Sequence, residues 1–202
     1  MLGLNNGSSF AVVKRPNPIY LMELLAQTLN RFATQHKNIK LYIDDLPPEA
    51  IYMRLQADKW SIHETIAYLN RYQYVFMGRL LSMLEEVNPF FEMYRPEEDT
   101  EYRYTAAKTT GSLLHELYRL REDILQLLQQ LPENSCARVA THEKLGKMTV
   151  AQWVEFFLLH ESNQLYKIFK MAGNFWSTEN ISYGNVISLP AMNNNQIDEL
   201  AG

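Results

Sequence analysis

Four runs of apolar side chains recur at alternating intervals of three and four residues, and that spacing limits what this chain can fold into. In the first run Met22, Leu25, Leu29, Phe32, His36, Ile39 and Ile43 follow Asn17-Pro18, an N-cap with proline at the first helical position. This is the inward stripe of an amphipathic helix about seven turns long. Asp44-Asp45 and Pro47-Pro48 end it, and residues 49–59 have no clear period. Ser61 and Glu64 have the spacing of a capping box. Behind them Ile62, Ile66, Leu69, Phe76, Leu80, Leu84 and Val87 form a second stripe, closed by Asn88-Pro89.

Residues 90–104 are acidic, aromatic and broken by proline, without usable periodicity. They are too long for a tight helix–helix turn and read as a crossover. Leu113, Leu117, Leu120, Ile124, Leu127 and Leu131 define the third stripe, closed by Pro132. After a loop with Gly146, Thr149 and Gln152 form another capping pair, and Val150, Trp153, Phe157, His160, Gln164 and Met171 carry the fourth. Gly173-Asn174 suits a helix terminator. The expected fold is an all-α four-helix bundle with a long crossover between helices two and three and an irregular C-terminal tail. Its divisions are an N-terminal extension over residues 1–17, the bundle over 18–172, and a docked or partly disordered tail over 173–202.

A chain of 202 residues suits a single domain. Net charge −4 without a basic block excludes a nucleic-acid surface, and no run of 18 apolar residues offers a membrane span. Cys136 is the sole cysteine, so no internal disulfide forms and a cytoplasmic, reducing setting is expected. Residues 1–18 have no contiguous apolar run behind their basic residues, so no signal peptide is expected.

Polar residues on the apolar stripes are the candidate site. His36, His160 and Gln164 each have apolar neighbours along the helix, and His160 and Gln164, four apart, share a face. Either they hold an ion or ligand group together, or His160 is a satisfied core histidine. If helices one and two are antiparallel, His36 and Tyr68 both lie about 12 Å from the same end of the bundle. Arg121 sits about 40° from the third stripe, where its head group either needs a carboxylate partner or snorkels to the surface. His63 falls off its stripe, His115 faces solvent, Glu64 is a cap, and His142 and Glu143 lie in a loop. Helical periodicity alone puts Tyr68 about 100° away from the stripe through Leu69.

The run from Lys59-Trp60-Ser61 through Glu64 to Tyr68-Leu69 resembles the opening of helix two in the DinB/YfiT-like superfamily, "kWS..Eil.HL". The run from His142 through Gly146 and Thr149 to His160-Glu161 and Gln164 resembles its fourth-helix signature, a "G..T" loop before "HE..H". Leu120-Arg121 and the acidic crossover also agree, and the similarity spans roughly residues 18–172. The resemblance implies up-down-down-up connectivity and, for many members, metal-dependent thiol S-transfer, isomerisation or hydrolysis. The family's three metal-binding histidines fall on Tyr68, His160 and Gln164. Only His160 keeps an imidazole; an amide oxygen is a poor ligand, and a phenol must lose a proton with pKa near 10.

Two readings follow. In the first, Tyr68, His160, Gln164, His36 and Arg121 line a small-ligand or partner pocket at a degenerate metal site that needs no cofactor. In the second, zinc or nickel held by His160, with weaker help from Tyr68 and Gln164, serves a thiol S-transferase or hydrolase. A homodimer through aromatic surface at Tyr72, Tyr74 and Trp60 is a further expectation.

Overall fold

The computed structural model describes residues 18–176. The N-terminal extension, the tail beyond residue 176 and the side chains of Met22 and Leu25 lie outside the described residues. The first stripe forms α1 (Pro18–Thr34), a 3₁₀ turn (Gln35–Lys37) and α2 (Asn38–Ile43). A short α3 (Pro48–Tyr52) leads to α4 (Ile62–Glu85), which opens on the complete Ser61/Glu64 capping box. After the crossover come α5 (Thr100–Ala106) and α6 (Thr110–Gln129), and α7 (Val150–Ala172) starts on a second box, Thr149/Gln152.

The direction of each helix follows from two core clusters at opposite ends of the bundle. One holds Phe32, Phe76, Leu80, Met83, Leu120, Ile124, Leu128, Trp153 and Phe157. The other holds Ile39, Ile43, Ile62, Ile66, Leu69, Leu113, Leu117, Leu165 and Ile168. Residue numbers run from the first cluster to the second in α1–α2 and α7, and from the second to the first in α4 and α6. The order is up-down-down-up, which requires a long connection between the two parallel neighbours α4 and α6.

The structure departs from the sequence reading in several places. The first helix is not continuous. Thr34 turns its hydroxyl back onto the Asn30 carbonyl (2.8 Å), and the 3₁₀ turn that follows lets the Gln35 amide reach the Leu158 carbonyl of α7 (2.9 Å). The crossover also contains strand. β1 (Phe90–Phe91) pairs parallel with β2 (Val139–His142), which pairs antiparallel with β3 (Gly146–Thr149). Strands of two to four residues carry no readable alternation, and the β1 partner is 51 residues away along the chain. His142 therefore ends a strand rather than lying in a loop. Its Nδ1 accepts the backbone amides of Lys144 and Leu145 and closes the hairpin, after which Gly146 takes a positive φ of 73°.

Three further readings change. Val87 lies beyond α4 and is exposed, and Leu29 is half-buried rather than buried. Gly173 keeps right-handed helical geometry (φ −57°), so it does not end α7 through the left-handed conformation. Of the aromatic residues in the surface expected for a homodimer, Tyr74 and Trp60 are half-buried and Tyr72 lies inside. Tyr72 is buried, Tyr74 donates to Glu116 (2.6 Å), and Trp60 packs against Tyr68.

Candidate functional site

The site lies where α4 faces α7. The capping boxes at Ser61 and Thr149 fix where each helix begins and so which residues meet across the bundle. Tyr68 and Tyr72, one turn apart on α4, face His160 of α7. The Tyr68 hydroxyl lies 3.0 Å from His160 Nε2, and the imidazole stacks on the Tyr72 ring at 4.4 Å. Trp60, immediately before the α4 cap, covers Tyr68 (5.2 Å), and Tyr94 from the crossover packs against Tyr68 and Tyr72. Tyr94 is anchored by donating to Asp99 (2.9 Å), which also pairs with Arg71 (2.6 Å).

Both members of the central pair are neutral near pH 7. Burial, then the charges of Lys167 and Arg79, push the His160 pKa down to about 4. Burial, reinforced by Tyr72, pushes the Tyr68 phenol well above its ordinary value. Tyr68 therefore donates and His160 Nε2 accepts, leaving the imidazole proton on Nδ1. A phenol so reluctant to ionise and an imidazole so reluctant to protonate are poorly matched to acid–base work at neutral pH.

The described residues do not fit a catalytic zinc or nickel ion. The one imidazole nitrogen facing Tyr68 is occupied by its hydroxyl, and ionising that hydroxyl in this buried setting is costly. Gln164 is buried, and its amide oxygen accepts from Lys167 Nζ (3.3 Å) rather than from the Tyr68–His160 pair. Among the described residues no group of three or more His, Cys, Asp or Glu could hold a metal.

The other candidates gather elsewhere. Arg121 is buried between the rings of Phe32 (4.4 Å) and Phe157 (4.8 Å). Its guanidinium reaches Gln73 Oε1 (2.8 Å), the Phe32 carbonyl (3.0 Å) and the Glu161 carboxylate. Glu161 also accepts from Gln35 (2.9 Å). This is the carboxylate that the Arg121 position required, and sequence reasoning missed it. The signal was present, because Glu161 is four residues past Phe157 on the fourth stripe. His36 does not join Tyr68, since its ring meets Tyr118 of α6 edge-on at 5.2 Å. His63, read as off the stripe, is buried. Its nitrogens lie 2.9 Å from Thr110 Oγ1 and 3.0 Å from the Ala106 carbonyl, tying α4 to the start of α6. His115 is exposed, as expected.

Beside the pair opens a cleft of about 960 Å³ between the 55–60 segment and the C-terminal half of α7. Tyr68 and His160 are not on its walls, but Trp60, packed on Tyr68, and Lys167, bonded to Gln164, are. Lys59 and Lys170 complete a cationic lining opposed by Asp58.

Residues 31–165 match the family model of the DinB superfamily, two thirds of the chain. The chain belongs to the DinB superfamily. A solved DinB-type fold, YfiT from Bacillus subtilis, described as a probable metal-dependent hydrolase with an unusual four-helix bundle topology, superposes with a TM-score of 0.65. The match covers 83% of this chain and 95% of that one at 14% identity, a likeness that shows the fold alone. No curated protein matches this chain significantly. Within the DinB superfamily bundle, among the described residues, no helix is long and apolar enough to cross a membrane.

Proposed function

We infer that this DinB superfamily member binds a small anionic molecule at a position from which metal chemistry has been lost. The observation that carries the reading is the 3.0 Å hydrogen bond between Tyr68 and His160, a neutral pair at two of the three positions onto which the resemblance carries the family's metal-binding histidines. The adjoining cleft supplies the binding volume. Trp60, Leu55 and Met171 offer apolar surface, and Lys59, Lys167 and Lys170 outnumber Asp58. Lys167 and Arg79 also bias His160 against protonation, so the potential at the pair favours negative charge.

The likeness to YfiT, described as a probable metal-dependent hydrolase, carries a second reading in which this chain too uses a divalent metal. Elemental analysis of protein purified without chelator, with a parallel melt, separates the two. The wild type should carry no stoichiometric zinc or nickel. The Tyr68→His, Gln164→His double variant should gain metal and melt higher in its presence, because three convergent imidazoles recreate a site that binds only the folded state. His160→Ala in that background should abolish the gain. Stoichiometric metal in the wild type, lost on His160→Ala, would overturn the degenerate-site reading in favour of the metal-dependent one.

A further inference from the structure

The three lysines of the cleft beside α7 are not equivalent. Lys59 pairs with its neighbour Asp58 (3.2 Å), the one acid among the described lining residues. Lys167 and Lys170 have no acidic partner within ion-pair distance among the described residues. Lys167 Nζ holds only the neutral Gln164 amide oxygen (3.3 Å), and Lys170 Nζ lies 5.5 Å from the centre of the Tyr166 ring. Both side chains are exposed, so their heads can swing on flexible stems rooted in the cleft wall.

Lysines near the end of a helix usually answer its open carbonyls. That role is filled by other donors here. The last four carbonyls of α7 each accept a hydrogen bond: Phe169 from the Gly173 amide (2.9 Å), Lys170 from the Asn174 side chain (2.9 Å), Met171 from the Asn174 amide (3.2 Å) and Ala172 from the Phe175 amide (2.9 Å). No open carbonyl at this end therefore engages the two lysines or turns an anion away. Three residues apart on one helix, Lys167 and Lys170 rise from the same wall with Cβ atoms about 5–6 Å apart. Two uncompensated charges at that spacing can close on one group that carries two negative charges, whereas a single carboxylate would leave one of them unmet. Leu55, Trp60 and Met171 add apolar wall, and about 960 Å³ is more room than a bare inorganic ion fills.

We propose that the cleft takes a small organic phosphomonoester, its dianionic phosphoryl group held between Lys167 and Lys170 and its apolar body lying against Trp60 and Met171. The proposal rests on the reading of the cleft as an anion site and narrows the ligand to two charges on one group with an apolar substituent.

Titration of the full chain at pH 8 tests it, with amide chemical shifts as the readout and three probes: phenyl phosphate, phenyl sulfate and inorganic phosphate. Above the second phosphate pKa of about 6, phenyl phosphate carries two charges, and phenyl sulfate has the same shape with one. Phenyl phosphate should give saturable shifts centred on residues 55–65 and 167–174. Phenyl sulfate should bind at least about threefold more weakly, since each exposed ion pair contributes a few-fold. Inorganic phosphate should also bind more weakly, having no apolar body. Lys167→Gln and Lys170→Gln together should bring the phosphate-to-sulfate preference close to one, a ratio that a merely structural role would not move, while Lys37→Gln on another face should leave it unchanged. Equal binding of phenyl phosphate and phenyl sulfate would overturn this proposal alone and leave the anion site standing. Shifts centred away from the cleft, or a preference that survives in the double lysine variant, would also overturn it. No saturable binding of any probe at millimolar concentration would overturn the anion reading of the cleft together with this proposal.

Discussion

Replacing Glu161 with Gln keeps the side chain's shape but removes the charge that offsets Arg121, and the consequence can be worked from the contacts. Both residues are 1% exposed, so neither can reach water by a small rearrangement. In the variant Arg121 retains Gln73, the Phe32 carbonyl and two aromatic faces, but no negative charge. Breaking one half of a buried pair costs about 3–5 kcal/mol, because a desolvated charge is left uncompensated. The retained acceptors put Glu161→Gln near the lower end, about 3 kcal/mol. For a domain of this size that corresponds to a fall in Tm of roughly 6–12 °C. Arg121→Met should cost a similar amount, since Glu161 would keep only the Gln35 amide as a side-chain donor. The Arg121→Met, Glu161→Gln double variant should then be less destabilised than the sum of the singles by at least about 2 kcal/mol. Urea unfolding of the four proteins measures the cycle. Single-variant costs below about 1 kcal/mol, or additive costs, would mean that the pair is hydrated and does not organise the core.

Two other expectations rest on the same core. Phe157 is 1% exposed and packs against Phe32, Phe76 and Tyr72, so Phe157→Ala should cost about 3–5 kcal/mol through lost transfer energy and a cavity; a loss below about 1 kcal/mol in urea melts would contradict the packing. His36 and His160 have folded pKa values of about 3 and about 4 against an ordinary 6.5, so between these values and 6.5 the unfolded chain binds protons that the fold refuses. Their stabilisation is complete above about pH 6.5 and is lost as the pH falls. Between pH 7 and 5 each should cost roughly 2 kcal/mol, and His36→Phe should make the measured slope distinctly shallower; an unchanged slope would contradict the burial of the imidazole.

The helices were legible in the sequence because each has a local cause. Ser61/Glu64 and Thr149/Gln152 are capping boxes within four residues of chain, and the stripes through Phe76, Leu117 and Phe157 recur over several turns. Arg121 could be marked as needing an acid because a guanidinium beside an apolar stripe is costly without one. What the sequence left open is non-local. The β1–β2 pairing joins two-residue and four-residue strands across 51 positions, and no short window contains both. The burial of His63 depends on Thr110 and Ala106, which only the crossover brings back to α4.

The candidate site divides along the same line. The residue types at positions 68, 160 and 164 are local facts, and they alone exclude three convergent imidazoles. That Tyr68 and His160 meet at 3.0 Å, while Gln164 turns to Lys167 and His36 to Tyr118, was decided by the relative rotation and register of α1, α4, α6 and α7. Periodicity determines which face of a helix is apolar. It does not determine how that face is rotated against its neighbours, since a shift of one residue turns a side chain by about 100°. Only close packing of large side chains such as Phe32, Phe157 and Trp153 selects one rotation, and with it which polar groups are brought within hydrogen-bonding distance.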